Sequence, residues 1–166
     1  NTFNGFQLHT QTVPAGALPA KKMLADYRFG DICYEYLDKL RLLCEENGTK
    51  LVLIKAPSLY PYWYEEYDEQ IRTYAASYGL TFYNFTERTE EIGLDFSEDT
   101  YDGGYHLNLT GTVKLSHYFG NILAEEYALP DRRQDSEIAS VYDKKLQVYD
   151  ETIKESMRGK NENEDE

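Results

Sequence analysis

Lys50-Leu-Val-Leu-Ile-Lys-Ala56 holds an unbroken aliphatic core, is closed by Pro57, and lies between two segments of helical periodicity. The run has strand length and is rich in β-branched residues, with no apolar-polar alternation. This is the pattern of a strand buried on both faces of a parallel sheet, because parallel strands are joined by crossover helices that cover both sides. An isolated hairpin or a solvent-facing meander would show period two.

The flanking segments fit that reading. From Asp31 to Asn47, Cys33, Tyr36, Leu37, Leu40, Leu43 and Cys44 recur at spacings of three and four, an amphipathic stripe. Asp31 is placed to cap this helix and Asn47-Gly48 to stop it. A second helix is predicted over 62–78, with Tyr64, Tyr67, Ile71, Tyr74, Ala75 and Tyr78 on one side. Leu80-Thr-Phe-Tyr-Asn-Phe85 reads as a second strand and 86–91 as a short helix. Asn108 or Thr110 can cap a third long helix reaching Tyr127, with Val113, Ser116, Phe119, Leu123 and Tyr127 inward and Pro130 ending it. A fourth carries Ile138, Tyr142, Leu146, Tyr149 and Ile153.

Helix and strand thus alternate, which predicts an α/β domain with a parallel sheet. Only two strands are legible, and parallel sheets seldom stand at two. The sheet is therefore expected to be incomplete: either residues 1–29 hide strands, or a partner segment completes the layer. Residues 1–29, punctuated by Gly5, Pro14, Gly16 and Pro19, read as an irregular lead-in, and 30–157 as the domain. Arg158 to Glu166 is charged and apolar-free, and is expected to be disordered.

Charge narrows the function. With 17 Lys+Arg against 30 Asp+Glu, the formal net charge is −13. Such a surface repels phosphate backbones, and no basic cluster offsets it, so no nucleic-acid partner is expected. No stretch approaches the roughly 20 apolar residues of a membrane span. Cys33 and Cys44 lie on one predicted helix, separated by roughly 16 Å at ~1.5 Å per residue, too far to pair. They read as buried small hydrophobes. The chain begins at Asn1 with no initiator Met and no charged-then-apolar leader, which suggests either a removed targeting segment or a start within a longer protein.

Chemistry concentrates between Asp95 and Asn108, after the second strand and before the capped helix. In open α/β sheets, sites lie beyond the carboxyl ends of strands. Gly103-Gly104 permits a tight backbone path. Asp102, four residues before His106, can orient the imidazole through Nδ1 and leave Nε2 as a base. The plainer alternative is a packed histidine beside a turn aspartate. His9 in the lead-in and His117 off the helical stripe read as solvated. There is no metal-ligand spacing and no glycine-rich phosphate loop, so neither metal nor cofactor is expected.

Tyr101-Asp-Gly-Gly-Tyr-His-Leu-Asn-Leu-Thr-Gly111, followed by an amphipathic helix, resembles the last block of SGNH (GDSL-type) hydrolases. Leu51-Val-Leu-Ile-Lys-Ala-Pro57, Tyr78-Gly-Leu-Thr-Phe-Tyr-Asn84, Ile92-Gly-Leu-Asp-Phe96 and Leu129-Pro-Asp-Arg-Arg133 are similar to the later part of bacterial cell-envelope members. The likeness covers about Gly30 to Met157. It implies a flavodoxin-like three-layer sandwich, an extracellular or cell-envelope location, His106 as general base and Asp102 as its orienting acid. The family's spacing is Asp-x-x-His, whereas three residues separate Asp102 from His106, so Asp99 is a second candidate. The family's nucleophile sits in a Gly-Asp-Ser or Gly-Ser-Ser turn, and no such turn is present. Ser58 follows a strand but lacks a glycine-flanked elbow.

The chain has 16 tyrosines, most at core-facing helical positions. Tyr60, Tyr62, Trp63 and Tyr64 instead cluster beyond a strand end, where rings line site walls. Three Asn-x-Thr sequons, at Asn47, Asn84 and Asn108, read as coincidence. The expectation is the C-terminal part of an SGNH-like esterase or O-acyltransferase acting on acylated envelope glycans or small esters. Tyr60, Tyr62 and Trp63 would lie on the sugar side. The alternative is a non-catalytic glycan-binding or interaction module. An incomplete sheet also predicts self-association through its edge, unless the lead-in covers it.

Overall fold

The computed structural model describes residues 6–164. They form a mixed α/β chain with five α-helices and a two-stranded parallel sheet. The elements run α1 (Asp31–Glu46), β1 (Val52–Lys55), α2 (Glu65–Ser77), β2 (Thr81–Asn84), a 3₁₀ turn (Phe85–Arg88), α3 (Thr89–Ile92), α4 (Leu109–Tyr127) and α5 (Ser136–Glu164). The described residues divide into two compact units: Ala15–Glu91, and a second joining 6–14 to 92–164. The division falls inside the stretch read as a lead-in.

In Ala15–Glu91, β1 and β2 pair in register from Val52↔Thr81 to Lys55↔Asn84, and α2 packs on β2. The core is aromatic: Tyr64, Tyr74, Tyr83 and Phe85 are buried, with Ala75. The hydroxyls of Tyr64 and Tyr74 are satisfied rather than stranded, as burial of a phenol requires. Tyr74 Oη donates to Asp38 on α1 at 2.7 Å, and Tyr64 Oη donates to the Lys22 carbonyl at 2.6 Å. Gln70 on α2 holds the chain ahead of α1, donating to the Tyr27 carbonyl and accepting from the Phe29 N–H. Residues 6–29 contain no helix or strand, yet they are tied down.

Three expectations, two of burial and one of capping, are corrected. Ile54 is 54% exposed, so β1 is not buried on both faces. A two-stranded sheet with one helix packed on it leaves a face uncovered. Cys33 is exposed and Cys44 half-buried, because the apolar stripe of α1, including Tyr36, Leu40 and Leu43, is itself exposed. Asp31 does not cap α1: the N-cap is Gly30, with no side-chain bond.

In the second unit, α4 starts and ends where predicted, with the Asn108 side chain accepting from Gly111 N–H at 3.1 Å. Its predicted stripe holds at Phe119, Leu123 and Tyr127, which are half-buried, but not in the first turns. Val113 and Ser116 are exposed, while Leu115 and Ile122 are half-buried. Tyr142 and Leu146 on α5 are also exposed. The backbone of α5 continues through Glu164, where composition predicts disorder. Glu, Lys and Arg are strong helix formers, and extending an existing helix needs no new nucleus. Asp165 and Glu166 lie outside the described residues.

Candidate active site

The loop from Gly93 to Asn108 is built outward from a buried aspartate. Asp99 is 0% exposed. Its Oδ2 accepts from Asp95 N–H at 2.8 Å and from Lys114 Nζ on α4 at 2.6 Å. Asp99 is therefore occupied by a lysine, not by His106. Asp95 is fixed in turn by the Ser97 hydroxyl and backbone N–H, which hold its carboxyl below the ordinary range.

Beyond Asp99 the chain makes a closed excursion. Thr100 and Leu107 form an antiparallel bridge, with Tyr101 N–H donating to the His106 carbonyl and Asn108 N–H to the Asp99 carbonyl. The six residues between the bridge positions must reverse direction, and Gly103 and Gly104 do so with φ of 82° and 103°. L side chains rarely adopt this region. The reversal returns His106 onto Asp102. Asp102 Oδ1 accepts from the N–H groups of Tyr105 (3.1 Å) and His106 (2.7 Å), while Oδ2 lies 2.5 Å from His106 Nδ1.

Burial pushes the Asp102 carboxyl up, but the His106 ring, the His106 N–H and the Tyr105 N–H outweigh it and hold it below the ordinary carboxylate range. At neutral pH it is a carboxylate and can only accept, so the proton of a neutral His106 resides on Nδ1. Nε2 then carries the lone pair, and among the described residues it has no hydrogen-bond partner. The His106 side chain is 68% exposed and that of Asp102 28%. The arrangement is an oriented imidazole base open to solvent.

The lead-in braces this loop. Val13 N–H donates to the Thr100 carbonyl, the Thr100 hydroxyl and Gly103 N–H donate to the Val13 carbonyl, and Leu109 N–H donates to the His9 carbonyl. The His9 ring stacks on Tyr101 at 3.7 Å and 14°, and Tyr101 lies nearly parallel to His106 at 5.7 Å. His9, read from sequence as solvated, is therefore half-buried in a ring stack, while His117 is exposed. Asn108 ties the pieces together, its Nδ2 donating to the Glu98 carbonyl (2.7 Å) and Thr12 Oγ1 (3.3 Å). Of these contacts only the Asn108 cap was signalled in the sequence. His9 and Tyr101 are far apart in the chain and no spacing rule links them.

Tyr60, Tyr62 and Trp63 belong to the other unit, Ala15–Glu91. Tyr60 and Tyr62 meet edge to face at 5.5 Å. Trp63 Nε1 donates to Asp68 Oδ1 at 2.8 Å. Trp63 and Tyr60 line a cleft of about 420 Å³ that also contains Lys55 and Asn84, the last residues of β1 and β2. Lys55, Asp68 and Asn84 were not anticipated, because they come together from separate elements. Ser58 Oγ accepts from Tyr60 N–H at 3.1 Å in a tight turn. A larger cleft of about 580 Å³ is bordered by Tyr34, Gln70 and Tyr78, and the Gln70 amide there is taken up by the Phe29 N–H, the Tyr27 and Glu66 carbonyls and the Tyr34 hydroxyl.

Among the described residues no cluster of His, Cys, Asp or Glu is placed to hold a metal ion, and no helix is long and apolar enough to cross a membrane. Comparison of the chain with protein families, with curated proteins and with solved structures finds no match.

Proposed function

We propose that this chain carries the base and orienting acid of an SGNH-like esterase or O-acyltransferase acting on acylated glycans, within a flavodoxin-like sandwich. The observation that supports the reading is the 2.5 Å approach of Asp102 Oδ2 to His106 Nδ1, with Nε2 unpartnered among the described residues. In acyl transfer, Nε2 takes the proton of an attacking serine hydroxyl while Asp102 holds the ring and stabilises the imidazolium. No described serine stands on a glycine-flanked elbow, so the hydroxyl is assigned to none of them.

The test is acetate release from an O-acetylated xylo-oligosaccharide and from a small acetyl ester, comparing the protein, together with a segment that supplies the serine hydroxyl, with its His106→Ala variant. Circular dichroism checks that the variant folds. Loss of turnover by about 10²-fold or more is the result expected for a general base. Equal turnover removes His106 from the reaction. A second reading, a glycan-binding module without catalysis, is favoured by the aromatic cleft in Ala15–Glu91, and it predicts no acetate release by either protein. The reading also carries an extracellular or cell-envelope location.

A further inference from the structure

We propose that the cleft at the carboxyl ends of β1 and β2 is a binding site for a neutral saccharide, with Trp63 and Tyr60 as ring surfaces and Lys55 and Glu87 as hydrogen-bonding groups. This supplies the glycan-binding side of the reading above and rests on it only for the class of polymer involved. Lys55 is the starting point. Its ammonium group ends β1, its side chain is 15% exposed, and it carries three donors. Asp68 is its hydrogen-bond partner, at 3.2 and 3.5 Å, while the Trp63 ring lies 4.9 Å from Nζ. One carboxylate leaves donor capacity on a largely desolvated cation, and Lys55 lines the cleft.

The floor is held in place for this purpose. Asp68 accepts from Trp63 Nε1 (2.8 Å) and from Asn84 Nδ2 (3.1 Å), and Asn84 Nδ2 also reaches Glu87 Oε1 (3.1 Å). The indole, the ammonium and the second carboxylate are thereby fixed relative to one another by groups on β1, α2 and the end of β2. Preorganised donors and acceptors lose little entropy when a ligand arrives.

Charge selects the ligand. The cleft walls carry Lys21 and Lys55 against Glu65, Asp68 and Glu87. Asp68 is paired with Lys55 and Glu87 with Arg72, whose guanidinium reaches both Glu87 oxygens at 2.6 and 2.7 Å. The charges are balanced, so neither an anion nor a cation finds an excess of opposite charge. A sugar hydroxyl donates and accepts at once, and can answer Lys55 and Glu87 together. The apolar face of a pyranose stacks on the exposed ring of Tyr60 and on Trp63. The volume of about 420 Å³ lies within the roughly 300–1,000 Å³ of small-ligand sites.

Trp63 is the single tryptophan of the chain, so intrinsic fluorescence reports on this cleft directly. The whole chain is titrated with cellotetraose, xylotetraose and chitotetraose, and with trigalacturonate as an anionic ligand of similar ring shape. A saturable change with at least one neutral oligosaccharide is expected, weakened about fivefold or more in both Tyr60→Ala and Lys55→Met, with unchanged far-UV dichroism. The proposal is overturned by the absence of a saturable response to all three, by a response of equal strength in both variants, or by tighter binding of trigalacturonate. Binding without ester turnover counts against the acyl-ester reading alone. Turnover without saturable binding counts against this site alone.

Discussion

Asp102 grips His106 at two points, accepting its backbone N–H through Oδ1 at 2.7 Å and meeting its ring Nδ1 through Oδ2 at 2.5 Å. One carboxylate thus fixes both where the residue's main chain lies and which ring nitrogen bears the proton. Three intervening residues, two of them glycines at positive φ, make this double contact possible within one loop. The imidazole is oriented by its contact with Asp102, and the Tyr101 ring lies nearly parallel to it at 5.7 Å.

Asp102→Asn separates the two contacts. The amide oxygen can still accept the Tyr105 and His106 N–H groups, so the loop is retained. The amide nitrogen is a donor, and facing Nδ1 it forces the ring proton onto Nε2. Nitrogen-15 shifts of the His106 ring should therefore move from the Nδ1–H to the Nε2–H tautomer. Any ester hydrolysis that depends on His106 should fall by about 10⁴-fold. An unchanged tautomer would show that Asp102 does not set it.

The same contacts predict an acid dependence. The folded Asp102 carboxyl lies below its ordinary value of 3.8 despite the opposing effect of burial. A depressed folded pKa contributes stability that is complete above the unfolded value and is lost as pH falls through the folded one. Urea midpoints measured from pH 6 down to pH 2 should drop more steeply below about pH 4 in the wild type than in Asp102→Asn. Parallel curves would mean that the carboxylate is not stabilised by the fold.

Much of this was legible locally. The bounds of α4 and both strands follow from periodicity and from Asn108, Pro57 and Gly79, and the Asp102–His106 pairing follows from a loop that can close on itself. Burial was less legible. Continuous hydrophobicity in Leu51–Ile54 reports what a strand can tolerate, not what packs over it, and Ile54 is half exposed. Nor could sequence show His9 stacked on Tyr101, or Lys55, Asp68 and Asn84 converging, because those contacts join residues from separate elements. On α4, Phe119, Leu123 and Tyr127 are half-buried in the predicted phase, while Val113 and Ser116 near its start are exposed and the buried residue there is Gly111, which has no hydropathy signal.

Gly111 lies in the first turn of α4 with no room for a side chain. A Cβ there would sit 2.5 Å from the Asp99 carbonyl oxygen and 2.9 Å from the Asp99 Cβ, a clash with backbone that cannot move aside cheaply. Gly111→Ala should destabilise the protein by about 1–3 kcal/mol, the range for overpacking, despite alanine's better helix propensity of about 1 kcal/mol. Asn108→Ala, which removes the cap, should cost about 1–2 kcal/mol. Both are read from denaturant midpoints, and a Gly111→Ala variant as stable as the wild type would refute the close approach.

Ala128 ends α4 at φ 48° and ψ 42°, in the left-handed region. An L side chain there costs about 1–2 kcal/mol, whereas glycine does not bear that penalty. Glycine also gives the unfolded chain more freedom, an opposing effect of about 0.4–1 kcal/mol. The strain is the larger quantity, so Ala128→Gly should stabilise the protein, by about 0.5–1 kcal/mol. Ala128→Val tests the same geometry in reverse, since a β-branched residue tolerates positive φ poorly, and its midpoint should fall. If glycine lowered the midpoint and valine left it unchanged, the helix would have to end in a different backbone conformation from the one described.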